Sequence, residues 1–245
     1  MSWQRLVAQN HRGVAVPRVL GIALAGLAAA STLLYATVRD LGPAGWGSLG
    51  GLLLVFAAGL VDDLAPDGPR GLRDHLRALG SGRVSTGILK LVVTSGSAVV
   101  VVAMQPTRSA IATIAGVILL AAGANMWNGL DVAPGRALKA FLIPAAAFAA
   151  WGVASNAPAI LGLLAGACLV VPFDLRERAM LGDAGANLLG FAAGVALYDV
   201  LPDPWLPVAA VTAVALNVVA DTVSFSRVID RTPPLRWLDR LGRRP

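Results

Sequence analysis

The sequence predicts an all-α, polytopic membrane protein of about eight transmembrane helices. Three observations predict it. Of 245 residues 56% are hydrophobic and only 14% are charged, where soluble domains carry about 25% charged residues. Mean hydropathy is +0.70. Apolar runs recur at the length of roughly 18 residues or more that crosses about 30 Å of hydrocarbon. Backbone in lipid must satisfy its own hydrogen bonds, and these runs lack the alternation of a membrane barrel, so they read as helices.

The first run, 19–38, follows the mixed segment 1–18, too long and polar a lead for a cleavable leader, so it is expected to stay as an anchor. The second run, 44–61, carries Gly47 and Gly51 four apart, a spacing that lets helix backbones approach closely. The third, 86–104, opens near Lys90, whose long stem suits either snorkelling or a phosphate contact. The fourth spans 109–124 and the fifth 138–153. The sixth, 157–173, repeats the small-residue spacing at Gly162 and Gly166, and the seventh, 186–201, at Gly190 and Gly194. The eighth, 205–225, places Asn217 and Asp221 on one face, either towards a site or towards neighbouring helices. Trp3, Trp46, Trp205 and Trp237 fall where interfacial anchors belong. Without a long linker or repeat, residues 1–245 form one domain.

Eight crossings also sort the charges. Basic residues are retained on the cytoplasmic side, and on this reading the tails and alternate loops hold all 20 Lys and Arg except Arg39 and Arg108. Both termini are therefore expected in the cytoplasm. The pI near 10.6 then reflects topology and anionic substrates, with no nucleic acid implied.

The acids sort with the bases, except Asp40, Asp199 and Asp203. Four groups follow apolar runs on that face: Asp62 with Asp63, Asp131, Asp183 and Asp221. One adjacent pair at a helix end is ordinarily a solvated terminus. Convergence of acids from separate helices is how bundles build metal sites, and a hard cation such as Mg2+ bridges carboxylates to substrate phosphates. Four groups together favour a functional site. The lone Cys168 and the two histidines, His11 and His75, argue against a thiolate or His-rich metal centre.

Pro134 and Gly135 precede a helix start at which Arg136 and Lys139 lie three apart. Paired cations at a helix N-terminus suit phosphate, and positive-inside anchoring explains them equally well. Gly182-Asp183-Ala184-Gly185 sets an acid between glycines before the seventh run, as a site or as a simple turn.

In order, these pieces resemble the polyprenyl-phosphate N-acetylhexosamine-1-phosphate transferase family, which includes phospho-N-acetylmuramoyl-pentapeptide transferase. His11-Arg12-Gly13 with Pro17, Arg18 and Gly21 is similar to the family's N-terminal RG-x-x-x-P segment, and Asp62-Asp63 to its acidic pair. Asn125, Asn128 and Asp131 follow N-x-x-N-x-x-D, Gly182-Asp183-Ala184-Gly185 the M-G-D-x-G motif, and Asp221-Thr222 the late D-T pair.

The resemblance implies transfer of a sugar-1-phosphate from a nucleotide sugar, UDP-linked in the usual case, to a polyprenyl phosphate, for cell-envelope glycan synthesis at a bacterial-type inner membrane. It implies Mg2+, with Mn2+ as the alternative, on Asp183 and Asp62. Asp62, Asp63 and Asp183 would be catalytic. Asn125, Asn128, Asp131, Arg136, Lys139 and Arg12 would bind substrate, and a homodimer is compatible with all of this. A noncatalytic relative that binds lipid phosphate, and a transporter, are the competing readings.

The departures fall on the nucleotide side. Pro134 replaces the second acid of D-G-x-D-G, and Met180 stands where an aromatic residue is usual. Phe173, followed by Asp174, takes the place of an asparagine, and Leu241-Gly242-Arg243-Arg244 takes that of a His-rich motif.

Overall fold

A computed structural model describes residues 6–10, 12–65, 85–150, 158–223 and 225–243. The chain opens with an antiparallel hairpin, β1 (Val7–Gln9) and β2 (Ala15–Pro17), with Ala8 opposite Val16. Asn10 closes its turn by accepting the Arg12 and Val14 amides on its side-chain oxygen. These short strands are the departure from an all-helical chain, since three residues are too few to show an apolar period.

Among the described residues eight longer helices follow: α1 (Leu20–Ala36), α2 (Gly42–Leu64), α3 (Thr86–Met104), α4 (Ala110–Leu130), α5 (Arg136–Ala150), α6 (Pro158–Leu175), α7 (Gly182–Val200) and α8 (Leu206–Val223). Two short ones, α9 (Phe225–Arg231) and α10 (Pro233–Arg240), end the described chain. Each apolar run thus contains a helix, with ends moved by local chemistry. Ser85 and Ser109 cap α3 and α4 by accepting the amides of Ile88 and Ala112. Helix α2 continues to Leu64, taking Asp62 and Asp63 into its last turn, and α4 continues to Leu130, taking in Asn125 and Asn128.

Among the described residues five helices are long and apolar enough to cross a membrane: Gly42–Leu64, Thr86–Met104, Ala110–Leu130, Pro158–Leu175 and Asp203–Ala220, the last including a turn of 3-10 helix. Helix α1 is apolar but has 17 residues. Helix α7 has a different place. Every residue from Ala184 to Ala196 is buried, and α1, α2, α4 and α5 pack around it. Its glycines let neighbours come into backbone contact: Gly190 lies against the Gly123 carbonyl and Gly194 against Leu120 of α4. The other small pairs serve similarly, Gly162 and Gly166 against α1, and Gly47 and Gly51 against Met104 and Val101 of α3. Trp3, His75 and the arginines at 70, 73, 77 and 83 lie outside the described residues.

Candidate active site

Three helix ends meet at one face of the bundle: the last turn of α2, the first turns of α3 and the start of α7. Lys90 reaches in from α3. Its Nζ donates to Asp62 Oδ2 at 2.8 Å and also to Asp183 Oδ2. The three side chains are 14%, 19% and 31% exposed, sheltered but reachable. Asn128, in the last turn of α4, points its Nδ2 at the same Asp183 oxygen, 3.4 Å away. Four helices therefore supply one charged cluster, and the Asn187 amide holds it from behind by donating to the Asp183 carbonyl at 2.6 Å.

Asp63 is adjacent in sequence but turned the other way, as successive helical residues are. It is 1% exposed. Its oxygens accept the backbone amides of Asp183 at 3.0 Å and Ala184 at 2.9 Å, and the Arg18 guanidinium at 3.0 Å. Those amides are orphan donors of the first turn of α7, where negative charge is favoured. Asp63 thus caps α7 from another helix and sets the direction in which Asp183 projects. Arg18 is positioned in turn by the N-terminal segment: its amide donates to the Leu6 carbonyl, and the Met180 amide donates to Pro17.

Asp131 caps the end of α4, half-buried, beside a cleft of about 300 Å3 lined also by Asn10, Pro134, Asp174, Glu177 and Met180. Burial, followed by the negative charges of Asp174, Asp183 and Asp63, holds its carboxyl well above the usual range. Asp174 accepts the Gly135 amide at 2.6 Å, and Gly135 makes that turn at φ +71°. Pro134 and Met180, the departures from the family pattern, line this cleft, and Asp174 brings into it a carboxylate that its neighbour Phe173, 49% exposed, does not.

Of the residues expected from sequence, Asp62, Asp63, Asp183 and Asn128 come together. Asn125 does not join them; its Nδ2 donates to Asn217 Oδ1 at 2.6 Å and links α4 to α8. Arg12 pairs with Glu177 at 3.3 Å beside the hairpin. Arg136 and Lys139 are turned from the cluster and grip the C-terminal helix. Arg136 binds Asp239 through Nε at 2.8 Å, and Lys139 donates to the carbonyls of Leu238, Asp239 and Leu241. Any phosphate reaching them there must displace Asp239 and these carbonyls. His11 and the Asp221 side chain lie outside the described residues.

Lys90, Arg18 and Asp174 carry more of the site than their sequence context suggests. The available signals were a lysine just inside an apolar run and an arginine just before one.

Among the described residues no three His, Cys, Asp or Glu side chains gather closely enough to hold an ion by themselves. Mg2+ needs less, since it is commonly held by one or two carboxylates plus substrate phosphates and water. Asp62 and Asp183 fit that requirement, because they already converge on one cation, the Lys90 ammonium.

A family model described as glycosyl transferase family 4 matches residues 46–200, from the second turn of α2 to the end of α7. The match contains the whole charged cluster. No curated protein and no solved structure matches the chain.

Proposed function

The chain belongs to glycosyl transferase family 4, the family of polyprenyl-phosphate sugar-1-phosphate transferases, and we propose that it loads a sugar-1-phosphate from a nucleotide sugar onto a polyprenyl phosphate. The observation that carries this reading is the meeting of Asp62, Lys90, Asn128 and Asp183 at one end of an apolar helical bundle. A lipid phosphate can reach that end from the bilayer while a soluble nucleotide reaches it from water. We place it at the cytoplasmic face of a bacterial-type inner membrane, with all eight long helices crossing and both termini inside.

In this mechanism an oxygen of the lipid phosphate forms a bond to the sugar-bearing phosphorus. The bond from that phosphorus to the bridging oxygen breaks, and nucleoside monophosphate leaves. The attacking oxygen is already ionised at neutral pH, so the protein's task is positioning and charge stabilisation. Lys90 orients the lipid phosphate. Asn128 fixes the Asp183 carboxylate, and Asp63 acts through the α7 terminus as a positioning residue. Asp62 and Asp183 would hold Mg2+ or Mn2+, which when bound offsets repulsion between the phosphates. Asp131 and Asp174 line the donor cleft. A carboxyl with a raised pKa keeps its proton to a higher pH than an ordinary one, and while protonated can donate to a carbonyl of a uracil-type base without repelling the diphosphate.

The test is release of nucleoside monophosphate from a panel of nucleotide sugars by the purified protein with undecaprenyl phosphate and Mg2+. Release that requires lipid, metal and Asp183 is expected. No release across the panel, with lipid phosphate still bound, would make the chain a noncatalytic member of the family.

A further inference from the structure

Helix α10 has two unlike faces. Towards the protein it presents Asp239, 8% exposed, held by Arg136 through Nε at 2.8 Å and Nη2 at 3.1 Å and by Arg243 four residues on. Lys139 donates to three carbonyls at the helix C-terminus, where a cation is favoured. Arg243 Nε donates to the Pro134 carbonyl at 2.9 Å. Away from the protein α10 and the residue after it present Trp237, 67% exposed, and Leu241, 50% exposed, while Leu235, 45% exposed, stands at the start of the helix one turn before Asp239. Arg236 and Arg240 flank them. Their neighbour is Asp230, which Arg240 meets only at 3.9 Å with both side chains more than half exposed.

A large apolar patch with a basic rim suits neither bulk water nor hydrocarbon. It suits the boundary between them, with the indole and leucines at the acyl margin and the guanidinium groups among phosphates. The fold puts the patch at that level, because α10 is fastened to the 134–139 turn and Gly242 packs beside Leu175, where α6 ends. Charge selects the partner: Asp239 is internally paired, so the outward face is left cationic.

We propose that α10 is an interfacial helix that binds anionic phospholipid headgroups, and that Asp239, Lys139 and Arg243 transmit its docking to the turn lining the cleft beside Asp131. The lipid contact needs no turnover, and it bears on the transfer reaction only through that turn.

The experiment is hydrogen–deuterium exchange on the full chain in nanodiscs of phosphatidylcholine alone or mixed with phosphatidylglycerol. Anionic discs should slow exchange in peptides covering 233–241 by roughly tenfold, with smaller slowing over 131–139. The double variant Arg236→Glu/Arg240→Glu should lose that difference while peptides from α3 keep wild-type protection, which reports an intact fold. Trp237 emission should be quenched by lipids brominated on the acyl chain, and Trp237→Phe should remove that component. Equal exchange in the two discs, or slowing that survives charge reversal, overturns the proposal. So does protection in lipid-free detergent that rises with protein concentration, which would assign the face to a second copy. None of these readouts needs turnover, so they stand whether or not sugar phosphate is transferred.

Discussion

Asp63 Oδ2 occupies the space that a side chain at position 182 would need: a β-carbon on Gly182 would lie 2.6 Å from it. The same residue sits at φ +66°. Gly182→Ala must therefore both strain the backbone and push away the carboxylate that caps α7. It should destabilise the protein by about 1–3 kcal/mol and misplace Asp183. Gly50→Ala, whose β-carbon meets nothing within 4 Å, lies within helix α2 and should instead stabilise the protein slightly, by about 0.5–1 kcal/mol. Thermal unfolding of both variants in one detergent checks this.

Lys90 is the counter-ion shared by Asp62 and Asp183. Lys90→Gln leaves two neighbouring carboxylates without it, so turnover should fall by roughly two to three orders of magnitude, as when a fixed charge-stabilising donor is lost. The KM for lipid phosphate should rise more than that for the nucleotide sugar. Steady-state kinetics with each substrate varied would reveal an equal rise in both, which would remove Lys90 from the lipid side.

Asp239 provides a pH test with a definite sign. Burial opposes its ionisation, but the hydrogen bonds and charge of Arg136 and the charge of Arg243 prevail, and the carboxyl is held below its ordinary value. A lowered folded-state value means that this contribution is complete above the unfolded value of about 3.9 and is lost as pH falls through the folded one. Docking of α10 should thus be constant from neutral pH to about pH 5 and weaken only in stronger acid. Asp239→Asn, which leaves buried Arg136 without its counter-ion, should weaken it at every pH by about 3 kcal/mol. Proteolysis within 225–243 as a function of pH reads both.

Asp131 has the opposite sign. Its raised value keeps the proton on as pH climbs, until the carboxyl ionises and its donor is lost. The KM for the nucleotide sugar should therefore increase as pH rises through that raised value. Asp131→Asn, a permanent donor, should flatten that limb, whereas Asp131→Ala should raise KM about tenfold at all pH values. An unchanged alkaline limb in Asp131→Asn would show that the ionised form is the one used.

The two asparagines of the N-x-x-N segment should separate cleanly. Asn125→Ala and Asn217→Ala should show a coupling energy of about 0.6 kcal/mol, the usual value for a hydrogen bond between membrane helices, with kinetics unchanged. Asn128→Ala should reduce turnover. A double-mutant cycle on unfolding, run beside activity, distinguishes the pair.

The apolar runs were legible because lipid imposes long uninterrupted stretches, and the face carrying Asp62, Asp131 and Asp183 was legible because charge is excluded from everything between. What spacing could not show was direction. Asp62 and Asp63 are neighbours that point apart, and Asn125 and Asn128 share a helix yet contact different ones. Arg136 and Lys139 looked available because their partner, Asp239, is about a hundred residues away. The five-helix count reflects the same limit: α7 is wrapped by protein, so its sequence answers to contacts with Gly123, Leu120 and Gly59 as well as to hydrocarbon.

Helix α7 also separates the reaction from the state of the bilayer. It is about 28 Å long at 1.5 Å per residue, and it meets the backbones of Gly21 and Gly59 at its start and of Gly123 and Leu120 along its middle, while the Tyr198 ring lies against Gly116 near its end. The outer helix α8, which carries none of the charged cluster, exposes Val211 and Val218. In a thinner or thicker bilayer such an outer helix can tilt to match the hydrocarbon, while the rod carrying Asp183 keeps its depth. Turnover should then vary little with acyl chain length, and sensitivity to lipid should enter through headgroups.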